Sequence, residues 1–411
     1  MGISLLRAVA VAAFGLSLLE PVLTISPVFN YGEDEVRGVN IGGWLVLEPW
    51  ITPSLFDNTG ELHFGISAIV DEWTFCEYQD TDTARTALTE HWDTWITESD
   101  FIDIAAAGLN HVRIPVGYWA FNVTEDEPYI QGQVDYLRKA LGWAATHGLQ
   151  VVVDLHGVPG SQNGFDNSGR RLPYPGWHSN HSNVVRSNEI LYEMACLFAG
   201  SAAIIEPLNE LTGFYGDDVL QVVKQYWEDS YGAIRSIPGT NAVVLIHDAF
   251  QTLDYWKDFM RREDGYDGVA MDTHIYQMFS SEEVARSDDE HIDAACEKKY
   301  SLSSFHLWTI VGEWTAAPTD CRGVGARYDG TYPGSSRVGD CGGKTGSALS
   351  FSPEYKVFLR KYWEAQVMAY RNWIHWTWKA ESADDWSYQA GLLGGWIPRN
   401  VTERLYPSIC G

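Results

Sequence analysis

Two glutamates stand where apolar runs give out. Glu210 closes AAIIEPLNE (202–210), and Glu313 follows the β-branched Thr309-Ile310-Val311 in HLWTIVGEWT (306–315). Burying an unpaired carboxylate costs several kcal/mol or shifts its pKa, so an apolar strand that ends on one calls for a reason. Two carboxylates flanking one bond can cleave a glycoside, one as acid/base and the other as nucleophile or base. The acid must hold a proton near working pH, which requires a pKa raised by burial or by the other carboxylate. The nucleophile must be ionised; a nearby Arg113 favours that, and Tyr276 is a donor for the same carboxylate. Asn209, beside Glu210, carries an amide suited to a sugar hydroxyl. A structural salt-bridge network and a metal site with the histidines are the other readings of the pair. No HxxxE or DxD ligand spacing within the apolar runs supports a metal, and no cofactor is expected.

Other apolar runs also end in polar or aromatic groups. They are Glu48 in VRGVNIGGWLVLE (36–48), Arg113 in HVRIPVGYW (111–119), Asp154 and His156 in LQVVVDLHG (149–157), His274 and Tyr276 in GVAMDTHIYQ (268–277), and Trp376, Trp378 and Lys379 in NWIHWTWKAE (372–381). Each alone suits a structural role; together on one rim they read as a pocket. With NAVVLIHDAF (241–250) the runs number eight. They are rich in Val and Ile with little alternation, as in a parallel sheet covered on both faces. Helical patterns lie between them at 85–109, 132–148, 184–200, 217–237 and 352–371, several ending at or near Gly. The alternation predicts an α/β fold, a (β/α)8 TIM barrel over residues 26–411 as one domain. Long loops at 158–183 and 317–350 follow the third and seventh strands. That is the C-terminal face, where barrel sites lie.

The 55 acidic and 28 basic residues give a formal net charge of -27. This argues against nucleic acid and anionic membrane as partners; a monomer is expected. The 18 tryptophans and 21 tyrosines suit either core packing or stacking on sugars. Arg7 followed by the apolar run Ala8 to Leu19 reads as a secretory leader ending near residue 25, with a short N-terminal anchor as the other reading. Sequons at Asn122, Asn180 and Asn400 fit secretion. The even set Cys76, Cys196, Cys296, Cys321, Cys341 and Cys410 suggests disulfides. Cys321 and Cys341 share one glycine-rich stretch that they would staple, and Cys410 would tie down the C-terminus.

Taken together and in order, RGVNIGGWLVLEPW, VRIPVGYW, VVVDLHGVPGSQNGFDNSG, EPLNE, HDAFQ, HIYQMF, GEWT and WTWK resemble the fungal exo-β-1,3-glucanases, retaining enzymes of glycoside hydrolase family five. The resemblance runs from about residue 33 to the C-terminus. It implies a barrel with Glu210 as acid/base and Glu313 as nucleophile at the ends of strands four and seven. By the same resemblance Arg113, His156, Asn209, His274 and Tyr276 match the polar shell of the subsite for the cleaved glucose. Glu48 resembles the residue that holds its hydroxyls, and Trp376 the platform beneath it. Asp166 and Asn167 resemble loop residues that close the pocket, and Phe165 and Phe279 an aromatic clamp for the next glucose. Cys296 would pair with Cys410, leaving Cys76 and Cys196 paired or free. Trp50 stands where the family often has Tyr. The implied partner is β-1,3-glucan, cleaved from its ends outside the cell or in the wall. The alternatives are an endo-acting or β-1,6-/β-1,4-preferring relative, and a wall-glucan-binding protein without catalysis.

Overall fold

The computed structural model describes residues 29–57, 59, 69–322 and 339–411. The expected leader and the central part of the glycine-rich loop at 317–350 lie outside the described residues.

Eight parallel strands close into one barrel in chain order. They are β1 (Arg37–Asn40), β2 (His111–Gly117), β3 (Gln150–Gly157), β4 (Ile204–Glu206), β5 (Val243–His247), β6 (Val269–Ile275), β7 (Trp308–Trp314) and β8 (Trp373–His375). The Val/Ile runs are buried along their length because both faces are covered. Val36, Val152, Ile204, Leu245, Ile310 and Ile374 pack together inside the ring. Outside, helices cover the sheet with apolar stripes. Gln133–Thr146, for instance, buries Leu137, Ala140, Leu141 and Ala144 at helical spacing.

The structure departs from the sequence expectations at several elements. The pattern at 85–109 is two helices, Thr81–Thr94 and Glu98–Ala106, because Thr97 and Asp100 form a capping box that starts the second. A helix at Asp288–Ser304 escaped the periodic pattern; it buries only His291, Ile292, Ala295 and Leu302. Between β5 and β6 the described residues form short 3-10 turns, not a long helix. Strands one and four stop early. β1 ends at Asn40, so Glu48 sits in the following loop rather than at a strand end. β4 ends at Glu206 because Pro207 has no N–H for the ladder.

Disulfides join Cys296 to Cys410 and Cys321 to Cys341. Cys76 and Cys196 are both free thiols, one buried and one exposed.

Candidate active site

The C-terminal ends of the strands deliver a connected polar network. Arg113 of β2 is its hub. Its Nε and Nη2 grip Glu206 at 2.7 and 3.0 Å, its Nη1 donates to Glu313 Oε1 at 2.9 Å, and its Nη2 donates to Asn209 Oδ1 at 2.7 Å. Asp154 Oδ2 lies 3.1 Å from the same Nη2. Such a cation surrounded by acids is stable inside only with every donor used, and removing one partner strands the rest.

Glu313 lies on β7, where Gly312 precedes it. The space that glycine leaves is filled by Asp272, whose Oδ1 accepts from Gly312 N–H at 2.7 Å; a Cβ there would meet that oxygen at 2.2 Å. Glu313 Oε2 accepts from Tyr276 Oη at 2.9 Å. Glu210 lies past Pro207 on a left-handed backbone, φ 45°. Its Oε2 accepts from Asn167 Nδ2 at 2.9 Å, and its Oε1 lies 2.8 Å from His274 Nδ1.

His274 faces carboxylates with both ring nitrogens. Nε2 lies 3.2 Å from Asp272 Oδ2, and Nδ1 lies 3.5 Å from Glu313 Oε2 as well as near Glu210. Only an imidazolium donates at both positions. Burial opposes its charge, but Glu313, Asp272 and Glu210 outweigh this and raise it well above its ordinary range. Glu210 responds in the opposite sense. Burial pushes it up, yet the hydrogen bond and charge of His274, with His247 and Asn167, hold it at about 2. The sequence reading asked for a raised value at Glu210; the neighbouring imidazolium is the reason it is lowered instead. Glu313 is raised, first by burial and then by Glu210, against the pull of His274 and Arg113. Thus His274, which the sequence reading placed only in a polar shell, is the dominant nearby charge.

One oxygen from each glutamate and one His274 nitrogen lie within 4.8 Å of one another, and Glu206, Asp272 and His274 form a second such group. Both groups are compact because they are ion-paired. Arg113 occupies Glu206 and Glu313, and a charged His274 offers no lone pair to a metal.

Trp378 and Lys379, expected on the same rim, instead donate to Asp100 Oδ1 of the helix Glu98–Ala106, each at 2.9 Å. Other predicted residues lie around the centre. His156 Nδ1 bonds Asp154 Oδ2 at 2.6 Å, and its ring lies parallel to buried Trp376 at 5.7 Å. Glu48 is buried and accepts from Trp50 Nε1 at 2.8 Å. Burial and then Asp166 raise its pKa, against Trp50 and Arg322. Phe165 and Phe279 line a cavity of about 550 Å³ together with Asn163, Glu210, His274 and Tyr276. Sequence reasoning did not single out Glu206, Asp272 or Asn40. Each is a polar residue inside an apolar run, and that contrast was the available signal. It also missed Arg322, beside the Cys321–Cys341 bridge. Its guanidinium lies 4.8, 5.5 and 5.7 Å from the rings of Trp50, Trp386 and Phe279.

A closed parallel barrel with two facing glutamates at its C-terminal rim has the parts of a glycoside hydrolase. The family model described as Cellulase (glycosyl hydrolase family 5) matches residues 76–323. A glucan 1,3-beta-glucosidase of Blumeria graminis is 44% identical, covering 98% of this chain and 96% of its own. One of Kluyveromyces lactis is 42% identical over 96% and 95%. The chain belongs to glycosyl hydrolase family 5. In fold it is similar to a rutinosidase from Aspergillus niger, with TM-score 0.69 and 19% identity, covering 89% of this chain and 98% of that one.

Proposed function

We propose that this glycoside hydrolase is a secreted, retaining exo-β-1,3-glucanase that frees glucose from non-reducing ends. Residues 1–25 are its leader and 26–411 its single catalytic domain. The named relatives support the substrate class, and two disulfides support an oxidising destination.

The observation that carries the mechanism is the closeness of the carboxylates, with one oxygen of each inside 4.8 Å. Retaining pairs sit roughly 5–5.5 Å apart, whereas inverting pairs stand about 6.5–9.5 Å apart to admit a water. Glu313, held by Arg113 and Tyr276, attacks the anomeric carbon. The proton for the leaving oxygen comes from Glu210. In the structure that proton rests on His274, across a 2.8 Å hydrogen bond. A charged His274 beside an ionised Glu210 holds the same number of protons as a neutral His274 beside a protonated Glu210. Moving one proton along the bond therefore arms the acid. Once Glu313 is esterified its charge is gone, and Glu210 accepts a proton from water to complete hydrolysis. A sugar hydroxyl in place of water would give transglycosylation. Glu48, His156, Asp166, Asn167, Asn209 and Trp376 hold the terminal glucose, and Phe165 and Phe279 the next.

Digestion of β-1,3-, β-1,6- and β-1,4-glucans with sizing of products tests this reading. Glucose as the first product from the β-1,3-glucan alone is expected. Oligomers from the start, or a faster release from another linkage, would contradict it.

A further inference from the structure

Beyond Phe165 and Phe279, three more aromatic rings wall the cavity that opens on Glu210. Phe214 and Tyr215 lie on the 3-10 turn Gly213–Tyr215 after β4, and Phe250 on the loop after β5. The Phe214 ring is 5.0 Å from Tyr215 and 5.7 Å from Phe250. The three are 56, 48 and 37% exposed, a contiguous apolar surface of the kind that marks a binding site.

The local backbone is organised to present them. Gly213 N–H donates to Ala249 O at 3.2 Å, and a Cβ on Gly213 would meet that oxygen at 2.6 Å. Glycine therefore lets the two loops approach closely enough for Phe214 to reach Phe250. Ala249 and Phe250 both hold left-handed backbone, φ 52° and 57°, which disfavours side chains with a Cβ. Neighbours hold that conformation: His247 Nδ1 accepts from Ala249 N at 3.0 Å and Asp248 Oδ1 from Phe250 N at 2.8 Å.

We infer that Phe214, Tyr215 and Phe250 form a further sugar-binding platform, stacking on a glucosyl unit of the leaving chain beyond the one held at Phe165 and Phe279. The inference rests on the glucan-hydrolase reading above. The side follows from Glu210, which protonates the leaving oxygen and lines this same cavity, whereas Glu48 and Trp376 do not. Glu210 and the Phe214–Tyr215 turn also leave the same strand, so the platform is set relative to the acid by a few residues of chain. Exposed rings suit the apolar C–H faces of sugars and tolerate a chain that slides outward after each cut.

The test is steady-state kinetics of the full chain and of a Phe214→Ala, Tyr215→Ala double variant. Substrates are β-1,3-linked glucose oligomers of two to five units and an aryl β-glucoside. The parent is expected to gain kcat/KM with length. The variant should lose about fivefold on the longer oligomers, equivalent to about 1 kcal/mol, and keep parental values on the disaccharide and aryl glucoside. Equal losses on every substrate, or an unchanged length profile, would overturn the platform. Failure of the underlying reading would look different: the parent itself would cleave the aryl glucoside and none of the β-1,3 oligomers, and the platform would fall with it.

Discussion

Nδ1 of His274 stands 2.8 Å from Oε1 of Glu210, with Asp272 behind the ring at Nε2. The imidazole therefore couples the proton on the candidate acid to the charge on Glu313. Replacing it as His274→Gln should narrow the pH profile of kcat/KM from both sides. Without the cation, Glu313 is pulled down less, so the acid limb moves up. The alkaline limb then depends on Glu210 alone rather than on a His274 raised well above its ordinary value, so it moves down. Limbs that stay in place would contradict the coupling.

Glu210→Gln should lower turnover on β-1,3-glucan by about 10²–10⁴-fold, the range for a lost general acid. It should lower it less on aryl glucosides whose leaving groups need no proton. Glu313→Gln should abolish turnover on both while substrate binding persists. Rates and binding measured side by side decide it; near-normal turnover in either variant would refute the assignment.

Arg113 ties Glu206, Asp154, Asn209 and Glu313 together inside the barrel. Arg113→Met leaves those acids buried without their cation and should cost about 3–5 kcal/mol in denaturant unfolding. Arg113→Lys keeps a charge but not the fork that grips Glu206, so it should recover only part of that loss.

Gly312→Ala places a Cβ 2.2 Å from Asp272 Oδ1. Either the strand or Asp272 must shift, and Asp272 anchors His274. The variant should lose stability and show the narrowed pH profile expected of His274→Gln. A folded variant with a parental profile would break this link.

Glu72 and Asp385 should each contribute a loss of stability between about pH 5 and about pH 8. Burial raises Glu72 to about 8 and Asp385 to about 7. A carboxyl whose folded pKa is raised keeps its proton after the unfolded chain has lost one, so stability declines as pH rises toward the folded value. Glu210, held at about 2, acts oppositely: its contribution is present above its unfolded value and lost as pH falls toward 2. Thermal midpoints across pH, with Glu72→Gln showing a shallower alkaline decline, check the sign.

The barrel was legible because the strands lie in Val/Ile-rich runs with little alternation, as burial on both faces requires. Glu210 and Glu313 stood out because charge at the end of such a run has few structural excuses, and Arg113 because it is a lone cation inside one. Less could be read where tertiary contacts set the outcome. Asp288–Ser304 shows a weak stripe because it buries few residues. The end of β1 was misplaced because the apolar Trp44–Leu47 segment is buried without pairing in the sheet. The lowered pKa of Glu210 depends on His274, 64 positions away in the chain, and on a contact that no local pattern encodes.

The central claim is double displacement through Glu313. The most direct measurement is an NMR time course of anomeric protons during the first minutes of β-1,3-glucan hydrolysis. The account predicts β-glucose as the first product, with α-glucose appearing only by mutarotation. Initial release of α-glucose would contradict it.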